Sequence, residues 1–596
     1  MQLNSLDWIV VCVALAAAFA PAIALARRAG RGTSEFFASG HAAPWWLIGT
    51  SMVATTFSTD TPNLVTDLVR TGGVSSNWLW WAFLLTGMLT VFFYARLWRR
   101  LGALTDLEFY ELRYSGKAAA LVRGFRAIYL GLFFNAVIMG SVTLAAVKIA
   151  NVMLGWERWQ TVLVCAVICV GFSVMSGLWG VLASDIIQFA IAIVGIFAAA
   201  VVALRQPEVG GLSGLVSKLE PAQLNLLPDF SNTEMLLAVF IIPLTVQWWS
   251  VWYPGSEPGG GSYVAQRMLA AKDEKHALGA TLWFNVAHYA LRPWPWILVA
   301  LCSLLVFPEL ADIQTALPGL DPNLLGHDIA YPAMLTLLPH GLLGLLIASL
   351  LSAYVSTMST HLNWGASYLV NDFYRRFLKP ASSEKHLVRV SRLMTAFLMV
   401  AAGGVMFLID TAGEGFQLLL SIGAGTGLLY LLRWFWWRIN PYSEIAAMIS
   451  SFLVAVGILV ARKNGLVLAD HWALIVSVAI TTVIWVAVTF VTPPTPRATL
   501  VSFVKLVRPA GPGWAELRAE AGVTSSPDSL SQALLGWMLG CAMVYAAMFA
   551  TGNFLYGRLT SGTVCLVICL TTGALLYRLL TRLLGAGSGQ NAGQLG

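Results

Sequence analysis

Apolar residues in this chain come in long runs rather than in short alternating stretches. About 15 segments of roughly 17 to 30 residues are predominantly apolar, and a helix needs about 20 such residues to cross the hydrocarbon core of a bilayer. In chain order they begin near Trp8, Trp46, Trp78, Val122, Val162, Gly180, Glu234, Leu278, Ile329, Val388, Gly415, Ser443, Trp472, Leu530 and Gly562, and we number the spans in that order. Period-2 segments of the kind a membrane barrel requires are absent. The pattern predicts an all-α integral membrane protein.

Two of the runs are interrupted. The second carries Thr55-Thr56-Phe57-Ser58-Thr59-Asp60-Thr61-Pro62-Asn63 between apolar flanks, and the seventh carries Tyr253-Pro254-Gly255-Ser256-Glu257-Pro258-Gly259-Gly260-Gly261. Proline removes an intrahelical hydrogen bond and glycine weakens a helix, so both segments should unwind locally. A plain proline kink and an ordinary Gly-rich loop are the simpler readings. The two breaks, however, lie five helices apart, and an odd offset inverts topology. Matching breaks in two inverted halves mark the binding site of a secondary transporter.

Composition sharpens this picture. Of 596 residues, 58% are hydrophobic and only 11% charged, against about 25% charged in a soluble domain. The mean hydropathy is +0.73. The net charge of +7 matters through its placement. Basic residues cluster at Arg27, Arg28 and Arg31, at Arg96, Arg99 and Arg100, at Arg267, Lys272 and Lys275, from Arg375 to Arg392, from Arg433 to Arg438, from Arg497 to Arg518, and from Arg578 to Arg582. Counted along the spans, nearly all of these loops fall on one side. Retention of Lys and Arg in the cytoplasm puts the N-terminus outside and the C-terminus inside an inner cell membrane. Charge scattered over separate short loops excludes nucleic-acid binding. The seven cysteines all lie in apolar segments with no metal or disulfide spacing. The first run has no basic region before it and reads as a retained helix.

The polar groups inside the runs carry the candidate chemistry. On the ninth span Ser356, Ser359, Thr360 and Asn363 share one helical face, with Thr357 at its edge. Hydroxyls together with freed carbonyls suit a hard cation, although such hydroxyls also bond back to their own helix. Asp185 opens the sixth span, where a buried carboxylate needs a partner or serves as a helix cap. The aromatic clusters Trp248-Trp249, Trp252-Tyr253 and Trp434-Phe435-Trp436-Trp437 read as interfacial belts, with lining of a sugar path as the alternative.

Three stretches carry a resemblance: Gly177 to Gln188, Ala353 to Asp372, and Gln266-Arg267-Met268-Leu269-Ala270-Ala271-Lys272. They resemble the sodium:solute symporter family, which includes bacterial sugar, proline and sialic acid carriers, and the similarity runs from about Trp8 to Phe490. The resemblance implies a leucine-transporter core of two inverted five-helix repeats behind one leader helix. That assigns 1–40 to the leader helix and first cytoplasmic loop, 41–204 to the first repeat, 205–232 to an outer loop and 233–440 to the second repeat. Peripheral C-terminal helices take 441–584, with a cytoplasmic loop near 493–529, and 585–596 form a disordered tail.

Carried over by position, the resemblance implies one sodium site, built from the carbonyls of Ala54, Phe57 and Ala353 and the hydroxyls of Ser356 and Thr357. A second sodium would use Asp185, Ser359 and Thr360. The solute cavity would be lined by Asp60, Asn63, Glu257, His288, Arg292 and Gln417. The chain departs from the sugar carriers in its Pro/Gly-rich seventh-span insertion, in Asp60 and Arg292, and in having two helices after the thirteenth span. Two acids and one base suit a zwitterion or a polyhydroxylated solute. The function expected is sodium-coupled symport of a small polar organic solute by alternating access, with the lipid bilayer, sodium and the solute as partners. Proton coupling through Asp185 is the nearest alternative. A membrane enzyme would need a clustered nucleophile, base or metal site, and the eight histidines are scattered; a transport-like sensor would need an output domain.

Overall fold

The computed structural model describes residues 3–585 except 30, 57, 251–256, 409–422, 424 and 524. The described residues are helical almost throughout, and their β-structure is one isolated bridge between Ala43 and Ala271. Among them 12 helices are long and apolar enough to cross a membrane. These are the first (Ser5–Arg27), third (Val74–Leu101), fourth (Gly116–Leu154), fifth (Arg158–Met175), sixth (Gly177–Leu204), eighth (Glu274–Val306), ninth (Leu342–Leu378), tenth (Glu384–Met406), twelfth (Pro441–Arg462), thirteenth (Asp470–Val491), fourteenth (Leu530–Leu555) and fifteenth (Leu559–Leu583). The second and seventh runs are divided into shorter helices, and most of the eleventh, like the tail from 586, lies outside the described residues. The ninth helix starts at Leu342 rather than near Ile329, because Ala330–Leu335 forms a separate short helix that ends before Pro339.

The second run is helical over Trp45–Thr55 and again over Asp60–Gly72. Pro62 sits in the first turn of the second piece, where a missing N–H costs no hydrogen bond. In the seventh run, Gly259 and Gly260 adopt φ of 81° and 82° before the helix Ser262–Ala270. The positive φ requires glycine at Gly260, since the 2.6 Å approach of a β-carbon there would be to the flexible end of Met268. The chain also reverses sharply between the fifth and sixth helices at Gly177, which has φ 53°.

Polar contacts gather at two ends. At the basic end Arg100 bonds Glu274 at 2.9 Å and Asp528 at 2.5 Å, and Arg96 bonds Asp528 at 2.9 Å. The polar stretch 493–529 is therefore docked, with short helices at Arg497–Val507 and Ala515–Glu520. Trp514 donates to the Trp434 carbonyl at 2.8 Å. The Arg113 guanidinium lies over the rings of Trp514, Tyr114 and Phe503 at 4.7, 5.1 and 5.5 Å. Trp434 is fully buried against Trp98 and Phe109, so this member of the aromatic clusters packs the interior instead of forming a belt; Trp252 and Tyr253 lie outside the described residues. At the opposite end Lys148 pairs with Asp328 at 2.6 Å. There Arg70 donates to the carbonyls of Ser303 and Phe307, and Trp78 donates to Leu226 of the 205–232 loop.

The added helices and the leader are tied to this body by specific bonds. On the fourteenth helix Trp537 and Tyr545 donate to the carbonyls of Leu85 and Trp81 of the third, and Trp294 of the eighth donates to Met548. The first helix packs on the sixth and ninth. Its buried Asp7 accepts from the backbone N–H groups of Gly341 and Gly344 at 2.7 and 3.0 Å and contacts His340 Nδ1 at 2.7 Å. A carboxylate from one helix thus caps the start of another. Asp7→Ala is expected to lower stability by about 2–4 kcal/mol through the loss of two capping bonds in a buried place. The thermal unfolding midpoint checks this, with Asp7→Asn retaining part of the cap.

Candidate functional site

Side chains gather on the last carbonyls of the helix Trp45–Thr55, of which Met52 O also keeps its backbone bond from Thr56 N at 3.3 Å. The hydroxyl of Thr56 donates to the carbonyls of Met52 at 3.2 Å and Val53 at 2.9 Å. Thr357, on the ninth helix, donates to Thr55 O at 2.7 Å. Arg292, on the eighth, donates to Val53 O at 3.1 Å. Thr357 of the ninth helix therefore stands against the end of the helix Trp45–Thr55, while Ser356 beside it turns to Asp185. Ala54 and Ala353 are buried beside them; Phe57 falls outside the described residues.

Next to this place lies a buried polar cluster. Asp185 accepts from Ser356 Oγ at 2.6 Å through Oδ1 and from Ser51 Oγ through Oδ2. Ser51 in turn accepts from Arg267 at 3.3 Å through both Nε and a terminal nitrogen. Arg267 also donates to Thr360 Oγ1 at 2.7 Å and to Gln266 Oε1 at 3.0 Å, and Thr360 shares a hydrogen bond with Thr55 at 2.9 Å. Ser51 thus bridges a buried carboxylate and a buried guanidinium. Of the residues expected for a second sodium, Asp185 and Thr360 are brought into this cluster. Ser359 instead donates to the carbonyl of Ser356 at 3.1 Å on its own helix, the local bond that short hydroxyls favour inside helices. Ser51 and Arg267 were not singled out as site residues from the sequence, although Arg267 lies inside one of the motifs that carried the resemblance.

The solute candidates separate into groups. Asp60 opens the second piece of the broken helix and is partly exposed, whereas Asn63, three residues on, is buried with both amide atoms unpartnered among the described residues. His288 and Arg292 contact each other one turn apart on the eighth helix. His288 lies 3.2 Å from Thr56 Oγ1, and Arg292 stacks on Trp296 at 5.3 Å. Arg292 is fully buried, so it does not snorkel; its donation to Val53 makes it a cap for the broken helix. Glu257 stands elsewhere, in an ion pair with Arg126 of the fourth helix at 2.9 Å, with side-chain exposures of 3% and 2%. Arg126 also bonds Tyr430 and lies over the ring of Tyr110, which accepts from Arg433 at 2.6 Å. Beside this pair Asp106 accepts from Ser262 N and from Tyr368. Gln417 falls outside the described residues.

At the end of the helix Trp45–Thr55 a hydroxyl and carbonyls thus meet beside an internal cluster of charged and polar groups, buried within an all-helical body. Known proteins match the sequence over most of the chain. A sodium/glucose cotransporter of Vibrio parahaemolyticus is 26% identical over 440 residues, covering 71% of this chain and 78% of that protein. Sodium/glucose cotransporter 4 of Mus musculus is 23% identical over 585 residues, covering 90% and 83%. Sodium/myo-inositol cotransporter 2 of Homo sapiens is 25% identical over 448 residues, covering 70% and 64%. The solved structure of a sodium-coupled sialic acid symporter in a substrate-bound outward-open state shares the fold, with a TM-score of 0.62 at 18% identity over 83% of this chain and 100% of that one. The model of the sodium:solute symporter family matches residues 36–455, and the chain belongs to that family.

Proposed function

We propose that this chain couples inward sodium movement to the uptake of a small polar organic solute by alternating access. The observation that carries the reading is the approach of Thr357 to Thr55 O at 2.7 Å, which puts cation-binding hydroxyls against carbonyls freed by the helix break. Sodium is held there by the carbonyls of Ala54, Phe57 and Ala353 and the hydroxyls of Ser356 and Thr357. One sodium is favoured over two: the Arg267 guanidinium already supplies positive charge near Asp185 through Ser51, and a second cation beside it would be repelled.

The core consists of two inverted repeats, 41–204 and 233–440, whose second and seventh spans carry the breaks. The basic end faces the cytoplasm, with the N-terminus outside and the C-terminus inside. At that end the Arg126–Glu257 pair joins the fourth helix to the break in the seventh and closes the path from the cavity. Sodium bound across the second and ninth spans favours the form open at the opposite end; a ligand shifts such an equilibrium only by its preference for one state. The solute then binds beside Asp60, Asn63 and His288, and the closed end opens. Voltage alone contributes about 2.3 kcal/mol per charge per 100 mV to inward sodium movement.

Similarity to carriers named for glucose and myo-inositol, with the buried amide of Asn63 unpartnered among the described residues, favours a polyhydroxylated solute. A zwitterion is the second reading, favoured by the carboxylate of Asp60. The test is thermal stabilisation of the purified protein against sugars, polyols and amino acids in sodium or potassium. A solute that stabilises only with sodium is the expected result, since ligand binding to the folded state raises its stability. Stabilisation indifferent to the cation would replace sodium by proton coupling.

A further inference from the structure

The sixth and ninth helices run antiparallel, with their register pinned at two points. Ser356 Oγ donates to Asp185 Oδ1 at 2.6 Å, and two turns away, toward the end bearing Asp328, Ser349 Oγ donates to the Ala192 carbonyl at 3.1 Å. The residues between these ties face one another: Gln188 lies one turn from Asp185, and Ser352 lies one turn from Ser356. Ser184, four residues before Gln188, shares its stripe. Gln188 is 1% exposed, and Ser184 and Ser352 are fully buried. Neither amide atom of Gln188 has a hydrogen-bond partner among the described residues, nor has the hydroxyl oxygen of Ser352 or of Ser184.

Four orphaned polar atoms on facing stripes of one helix pair are costly to bury, and small residues such as Ala192 and Gly195, which meets Ser349, close the helices together beside them. The chemistry of the set selects its occupant. An amide offers a donor as well as an acceptor, so a bare cation would leave the Nε2 hydrogens unmet and an anion would leave Oε1 unmet. Water answers both, and two hydroxyls complete its usual two to four partners. The place also adjoins the Ser356 hydroxyl and the Asp185 carboxylate.

We propose that Gln188 and Ser352, one turn beyond Asp185, together with Ser184, one turn back on the Gln188 stripe, hold an ordered water cluster where a sodium ion exchanges its hydration shell on the way to Ser356 and Thr357. The inference rests on the sodium-coupled reading. These three residues act through water on the approach of the ion and leave the solute cavity untouched.

The experiment compares sodium activation of solute uptake in proteoliposomes for the wild-type chain, for Gln188→Leu with Ser352→Ala, and for the conservative pair Gln188→Asn with Ser352→Thr. The half-activating sodium concentration is expected to rise about three- to tenfold in the first variant, the size of one lost hydrogen-bonded contact. The solute concentration for half-maximal uptake at saturating sodium should stay unchanged, and the conservative pair should fall near the wild type. Unchanged sodium activation in a folded Leu/Ala variant overturns the proposal and leaves the cluster a packing feature. If that variant fails to fold, Ser352→Ala alone decides by the same readout, a shift supporting the station and no shift overturning it. A wild-type chain whose uptake ignores sodium overturns the coupled reading itself, and the station with it.

Discussion

Glu257→Ala is expected to destabilise the folded protein by about 3–5 kcal/mol, because it strands a charged guanidinium inside the molecule. Arg126 is almost wholly buried, and its carboxylate partner at 2.9 Å is Glu257. Tyr430 and the ring of Tyr110 offer oxygen and π-density without neutralising the charge, and the nearby Asp106 carboxylate is already taken by Ser262 N and Tyr368. The thermal unfolding midpoint in detergent measures the loss. The paired replacement Arg126→Met with Glu257→Leu should recover most of it, since two apolar side chains of similar size no longer carry a desolvation penalty. Uptake then separates two roles. Recovered stability with uptake still lost marks the pair as the closure of the basic end; recovered uptake marks it as a structural tie.

The second large effect is expected at the helix break. Ser356→Ala with Thr357→Ala should raise the half-activating sodium concentration about tenfold or more, since hydrogen-bonding or ion-binding oxygens near charge contribute about 1.5–3 kcal/mol and each 1.4 kcal/mol is a decade. Thr357 also ties the ninth helix to Thr55 O, and Ser356 is one of two hydroxyls on Asp185. The double variant therefore needs a control that keeps both hydroxyls. Ser356→Thr with Thr357→Ser keeps them and should respond to sodium nearly as the wild type does. Sodium activation that is unchanged in the double alanine variant would sink the assignment of this site.

The two predictions differ in how visible they were beforehand. Ser356 and Thr357 are assigned through the resemblance to the sodium:solute symporters, on a run that four polar residues at helical spacing interrupt, facing a second run interrupted over Thr55 to Asn63. Each signal is local. The bond between Thr357 and Thr55 crosses 302 positions, yet it joins two segments that each announced themselves. Glu257 announced itself only as a carboxylate in a Gly/Pro-rich break. Its partner Arg126 lies 131 positions away, in a stretch that reads simply as the start of a span after a basic loop. Arg292 likewise stood out as a charge in an apolar run, but its donation to Val53 O, 239 positions away, depends on how the eighth helix crosses the second.

The sequence by itself determined the medium, the class of secondary structure and where two helices break. In hydrocarbon an unpaired backbone group is so costly that a bilayer-length apolar run can only be helix; clustered proline, glycine and polar residues interrupt two of the runs, whereas the lone Pro21 stays inside the first helix. Only the tertiary structure decided which buried charges meet. It set Arg126 against Glu257 and linked Arg267 to Asp185 through Ser51. It turned Ser359 back on its own helix, capped the ninth helix with Asp7 of the first, and laid the 493–529 stretch across the basic end. The reason is physical: a charge must find a partner once it leaves water, but helix packing chooses that partner, and packing depends on side-chain shape across many spans at once.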